Sequence, residues 1–313
     1  MASREGPGRK GRRSTVSTYR LPGGHGELHV QVASASHAGM VRAINEDSLL
    51  SEPPVFAVAD GMGGHSFGDR ASAAAIEALH SEFDPARATD PDHVWAAIRR
   101  ANAAVRELTA SSEGGGQVVA GTTLTGVAVV VEDPGTDPHW MVFNVGDSRV
   151  YRLVGDDARV ERISVDHSVV QELMDAGMID EDGARRHPDR NVITRALGAA
   201  DEVHAEAWLL PATRPQTFLI CSDGLTKELD DARIAELLAP LELGEAPDAA
   251  VDRLLGAALA AGGADNISVV VVRGEYHGTV ASTTVSPHQV DEQTRERGRS
   301  ILSPELDDTR PRV

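Results

Sequence analysis

Apolar positions along this chain follow two rhythms. Short unbroken runs of Val, Ile, Leu, Phe and Ala at 55–59, 122–131, 140–145, 150–154 and 217–222 read as buried strands. The run at 267–272 reads as a further core strand within 267–273, and other strand patterns lie at 27–34, 48–50, 159–163 and 203–209. Elsewhere the spacing is helical. The segment 69–81 is Ala-rich, and 91–110 places Val94, Ile98, Ala101, Val105 and Leu108 on one stripe. Two further helices are predicted at 231–238 and 248–261, while 164–200 breaks into short helices and loops rich in charge. The order is strands, two helices, strands, two helices and a final strand. It lacks the strict alternation of a parallel sheet and predicts an α+β fold of packed antiparallel sheets with helices outside.

The ends of the strands carry the chemistry. The run at 55–59 ends in Asp60-Gly61, and the run at 217–222 ends in Asp223-Gly224. The run at 141–146 ends in Asp147, and the last strand begins just after Asp265. Carboxylates at rigid strand ends can be held at fixed separations, as a hard divalent cation requires of its oxygen ligands. The glycines after Asp60 do not make a phosphate loop, because no Lys-Ser/Thr follows and Asp60 is negative. Upstream, Glu46 and Asp47 are adjacent acids close to Arg42, a side chain suited to gripping a tetrahedral oxyanion with two hydrogen bonds. Metal-ligating acids with one Arg are the set that phosphoryl-transfer hydrolysis needs. Each Asp-Gly step alone marks only a turn; the order and placement together carry the argument.

Charge and composition narrow the partners. Net charge is −18, with residues 1–20 at about +5 and the remainder near −23, which argues against nucleic acid as a partner. A body this acidic accommodates clustered carboxylates more readily when cations neutralise them. A single cysteine, Cys221, excludes an intramolecular disulfide framework and a Cys-based zinc site. A cysteine-based phosphatase would need Arg six positions after its Cys, where this chain has Lys227. No window approaches the roughly 18 apolar residues of a membrane span. The basic start lacks the apolar stretch of a secretory signal, so a cytoplasmic protein is expected. Residues 1–26 and 274–313 show no periodicity and read as disordered tails around one domain at 27–273.

Arg42 with Asn45-Glu46-Asp47, Asp60-Gly61-Met62-Gly63-Gly64, Gly121-Thr122-Thr123, Val145-Gly146-Asp147-Ser148-Arg149, Ser222-Asp223-Gly224-Leu225 and Asp265-Asn266-Ile267-Ser268 together form a series. In that order, over residues 28–273, it resembles the motifs of the metal-dependent protein phosphatases, the protein phosphatase 2C family, and most closely the bacterial branch. The resemblance implies a four-layer α-β-β-α sandwich and hydrolysis of phosphoserine and phosphothreonine in proteins by a metal-bridged hydroxide. It implies two core Mn2+ or Mg2+ ions and a weaker third. By motif position, Asp60 would bridge both core metals and Gly61 would offer its carbonyl to one. Asp223 and Asp265 would bind the other, and Glu46 and Asp47 would hold metal-bound waters. Asp147 would bind the third ion and share Asp223 with it, and Arg42 would grip the substrate phosphate. Expected partners are phosphoproteins, including Ser/Thr protein kinases and their substrates, acted on by a monomer.

Where animal members carry a His after the first Asp-Gly, this chain has Met62. The proton for the leaving oxygen is then expected from a metal-bound water rather than from His65 nearby. The family's flap beside the active site would fall at 164–200. The rival reading is a regulatory pseudophosphatase that binds phosphoproteins without turnover; the intact acids and Arg42 count against it.

Overall fold

A computed structural model describes residues 12–13, 16–23, 26–63, 67–110, 120–132, 136–154 and 159–278. In chain order the first elements are β1 (Arg12–Arg13), β2 (Ser17–Gly23), β3 (Gly26–His37), β4 (Asp47–Glu52), β5 (Val55–Gly63), α1 (Gly68–His80) and α2 (Pro91–Ala110). Next come β6 (Ala120–Thr122), β7 (Leu124–Val130), β8 (His139–Val145), β9 (Arg149–Val154) and β10 (Arg159–Arg162). The chain continues through α3 (Val169–Asp175), α4 (Glu181–Arg186), β11 (Glu206–Pro211), β12 (Gln216–Cys221), α5 (Asp223–Thr226), α6 (Asp231–Leu238), α7 (Pro247–Ala261) and β13 (Ile267–Gly278).

All strand pairings between these elements are antiparallel. One sheet runs β1-β3-β13-β12-β9-β10, with β2 also on β3; the other runs β11-β8-β7-β5-β4, with β6 on β5. The sheets face each other through Val30, Val32, Phe56, Val58, Val127, Trp140, Val142, Phe218, Ile220 and Val270. The outer face of the second sheet packs Ala57, Leu124 and Phe143 against Leu79 of α1 and Val94, Ile98, Ala101 and Val105 of α2. The outer face of the first packs Leu219, Val269 and Val271 against Ile234 of α6 and Leu254 of α7. This is the four-layer α-β-β-α sandwich. It also explains the unbroken apolar runs: with a sheet on one side and helices on the other, β7 is buried at every position, and alternation is lost although the strands are antiparallel.

The register brings the acids to one edge. Asp47 at the start of β4 is the direct cross-strand partner of Asp60 in β5. Cys221, one residue before Ser222-Asp223, pairs with Val269 on one side and Arg149 on the other. Ile267 pairs with His37, so Asp265 and Asn266 enter at the same edge. The glycines after Asp60 and Asp223 are required by close approach rather than by backbone angle. A Cβ on Gly61 would overlap the backbone of Gly68 and Glu46, and one on Gly224 would overlap the Asn266 carbonyl.

Several boundaries differ from the sequence reading. Residues 17–23, expected to lack regular structure, form β2 and pair with β3 from Ser17 opposite Val32 to Gly23 opposite Gly26. Leu21 is fully buried in the inter-sheet core. The Gly-, Arg- and Ser-rich surroundings hide a strand whose ladder bonds come from β3. At the other end β13 runs on to Gly278 because β3 continues to pair with it. The strand expected at 203–209 is Glu206–Pro211, its limits set by pairing with β8. Residues 1–11 and 279–313 lie outside the described residues.

Leu21→Ala tests the place of β2 in the core. It should cost about 2–5 kcal/mol in urea unfolding, as for other buried Leu truncations; a midpoint unchanged from wild type would return 17–23 to the tail.

Candidate metal centre

Asp47 and Asp60 oppose each other in a ladder, where like charges destabilise pairing. Asp47 is buried, and Ser222 Oγ donates to its Oδ2 at 2.9 Å. Its Oδ1 and the Oδ1 of Asp223 are buried with no hydrogen-bond partner. Asp60 is held by its backbone: its N–H donates to Thr123 Oγ1 at 2.9 Å, and Thr122 Oγ1 donates to its carbonyl at 2.9 Å. Thr123 Oγ1 is also hydrogen-bonded to Ser148 Oγ at 2.8 Å, which ties the Asp60 strand to the Asp147 turn. Glu46 N–H donates to Asn266 Oδ1 at 2.8 Å, and the Glu46 carbonyl accepts from Gly61 N–H and Ser72 Oγ.

At this edge lies a cleft of about 680 Å³. Its walls include Arg42, Glu46, Asp60, Gly61, Asp147, Asp223 and Asp265, with Met62 on the wall and Arg190, Asn191 and Ile193 reaching in from the 164–200 segment. Asp47 does not line it but is buried beside Asp60 in the ladder and holds the Ser222 hydroxyl. All eight residues singled out from the sequence therefore gather at this edge. Arg42 occupies the rim and pairs with Asp265 through Nε at 2.9 Å and NH2 at 3.0 Å. His65 lies outside the described residues.

The electrostatics reflect crowding. Burial first, then Asp47, Asp223 and Asp147, push the Asp60 carboxyl well above the ordinary range. Burial pushes Asp47 up to about 7, with Asp223 and Asp265 adding to it against hydrogen bonds from Ser268 and Ser222. Asp147 also reaches about 7 through burial and the charges of Asp223 and Asp166. Glu46 rises through burial and Asp69. Asp265 goes the other way: burial would raise it, but Lys227 and Arg42 outweigh that and hold it below the usual range.

The donor set fits a hard divalent cation. It is all oxygen, two buried carboxylate oxygens are unpartnered, and the raised carboxyls need positive charge to ionise together. Among the described residues no three His, Cys, Asp or Glu side chains converge on a single point; side-chain cations lie on Asp223 and Asp265 instead. Lys227 is one of these, and the sequence reading did not place it in the site. Thr122, Thr123, Ser148, Ser222 and Asn266 were present in the motifs, but their roles as clamps on Asp60, Asp47 and Glu46 were not. Hydroxyls and amides carry no charge pattern that would mark them. Beside the cleft, Arg149 clasps Asp166 with contacts of 2.6–3.1 Å, and Tyr151 donates to Asp231 at 2.8 Å, joining the 164–200 segment to α6.

Raised carboxyls hold protons more tightly folded than unfolded, so they favour the fold at low pH and lose that contribution as pH climbs. In chelator, the melting temperature contributed by Asp47 and Asp147 should fall between pH 3.8 and about 7. Saturating Mn2+ should flatten the fall. A chelated protein whose stability rises steadily across that window would contradict the crowding.

A profile of the protein phosphatase 2C family matches residues 41–260. The serine/threonine protein phosphatase PstP of Mycobacterium tuberculosis is 36% identical over 248 residues, 78% of this chain and 45% of that protein. This chain thus spans about half the length of that relative. The serine/threonine phosphatase stp of Listeria innocua is 34% identical over 245 residues, 75% of this chain and 92% of that protein. A crystal structure of the catalytic domain of serine threonine protein phosphatase PstP in complex with two manganese ions superposes with a TM-score of 0.66 at 34% identity. That superposition covers 79% of this chain and 99% of that one. With the profile spanning most of the chain and the same fold in its relatives, the protein belongs to the protein phosphatase 2C family.

Proposed function

We propose that this chain is a metal-dependent protein phosphatase that hydrolyses phosphoserine and phosphothreonine and opposes Ser/Thr protein kinases. The observation that carries the reading is the cross-strand pair of buried Asp47 and half-buried Asp60, with Asp60 facing Asp223 and Asp265 across one cleft and Arg42 on its rim. Such repulsion is tolerable when cations occupy the cleft. Asp60 and Gly61 would hold one side of a two-ion site of Mn2+ or Mg2+, Asp223 and Asp265 the other, with Glu46 and Asp47 behind them. Asp147, with Asp223, would hold a weaker third ion. When bound, the ions would activate a water for in-line attack on phosphorus and take up charge on the phosphoryl oxygens.

The remaining steps fall to the chain itself. Arg42 keeps N–H donors beyond those on Asp265 and would orient the phosphate. Thr122 and Thr123 fix the Asp60 backbone, and the Ser222 hydroxyl fixes the orientation of Asp47. Met62 has no proton to give, and water would supply the proton to the leaving serine or threonine oxygen. Arg190, Asn191 and Ile193 extend from the 164–200 segment over the cleft and would tune access for the polypeptide around the phosphoresidue. Among the described residues no helix is long and apolar enough to cross a membrane. A cytoplasmic monomer acting on phosphorylated kinases and their substrates fits this reading.

Phosphate release from a phosphothreonine peptide, with Mn2+ and then with chelator, tests the proposal. Turnover should appear only with metal, and its absence with Mn2+ would sink the enzyme reading. Asp60→Asn and Asp223→Asn should each lower kcat/KM by more than about 100-fold with the melting temperature kept, beyond the loss typical of outer-shell partners. Arg42→Ala should act mainly by raising KM for the peptide, and an unchanged KM would remove it from phosphate binding.

A further inference from the structure

Side-chain cations already lie on the cleft carboxylates. Lys227 Nζ lies 2.6 Å from Asp223 Oδ2 and 2.9 Å from Asp265 Oδ2. The lysine closes the single turn of α5 that Asp223 opens, and its backbone N–H donates to the Asp223 carbonyl at 2.8 Å. One helical turn therefore holds the ammonium over the carboxylate four residues back. This is more than a surface pair of that spacing, since both acids are largely shielded, at 16% and 20% exposure. Composition singles the residue out as well. The chain has only two lysines, Lys10 and Lys227, against 28 arginines.

We propose that Lys227 is a tethered counter-cation that occupies the position between Asp223 and Asp265, and that a divalent ion must displace it to enter. The inference rests on the two-ion reading above. An ion bound to these oxygens would lie about 2.0–2.6 Å from them. The Lys227 ammonium holds both Oδ2 atoms, so although Asp223 keeps an unpartnered Oδ1, an ion that takes Oδ2 from either acid and the ammonium exclude each other. In the metal-free protein Lys227 offsets part of the acid cluster and keeps the β12 and β13 ends together. Loading is then an exchange of one cation for another, which weakens metal affinity and releases a mobile ammonium beside the cleft.

Calorimetric Mn2+ titration of the full chain, with free Mn2+ followed by electron paramagnetic resonance, tests this on wild type, Lys227→Met and Lys227→Gln. Both variants should bind Mn2+ roughly fivefold or more tighter, within the range typical of coupled sites. Their melting temperature in chelator should fall while the stabilisation by Mn2+ grows. Affinity equal to or weaker than wild type in both variants would overturn the proposal. Wild type that binds no Mn2+ would instead fail the two-ion reading, and this inference with it. A readout on the unmutated chain is available because only two lysines need resolving. On titration with diamagnetic Mg2+, the Lys227 side-chain NMR signal should move from its paired to its solvated position; a signal that stays put would also overturn the exchange.

Discussion

Two carboxylates facing each other across a β ladder repel, and the cleft is organised around that repulsion. Asp47 and Asp60 are held opposite by the register of β4 and β5, which apolar packing on both faces of the sheet prevents from slipping. Neither acid can move away without breaking ladder bonds, so the conflict must be relieved in place. The protein relieves it with hydroxyl donors such as Ser222, and with Lys227 and Arg42 on the neighbouring acids. Divalent ions are the strongest of the available remedies, because an ion shared between carboxylates turns mutual repulsion into shared attraction.

The sandwich makes this possible through its edges. Each sheet is covered on both faces, so its strands are stiff and its ends are fixed in space. The acids come from β4 and β5 of one sheet and from the ends of β12 and β13 in the other. Their relative placement thus depends on how the two sheets pack. Gly61 and Gly224 matter for the same reason. Each lets one backbone pass against another where a side chain would hold the two apart, and the acids beside them come closer than ordinary residues would allow.

Several elements were legible from local pattern. The unbroken runs at 55–59 and 217–222 became β5 and β12, and Val94, Ile98, Ala101 and Val105 form the buried stripe of α2. Acids at strand ends are visible because charge next to an apolar run is conspicuous. β2 was not legible, since its ladder partner and the core that buries Leu21 are supplied by distant residues. Nor was α5, a single turn held by backbone bonds such as that from Lys227 N–H to the Asp223 carbonyl.

Read along its length, the chain gives the layered α+β architecture, the family, and the acids and arginine that gather at one edge, because periodicity and motif order are properties of local sequence. The tertiary structure alone decided which acids face each other, which carboxylate oxygens go unpartnered, and which cation lies on which acid. Those are distances between residues far apart in sequence. Lys227 shows the difference: along the chain it is a lysine four residues after an aspartate, and in the fold it bridges Asp223 and Asp265. The pull between charges depends on separation in space, and only folding sets that separation.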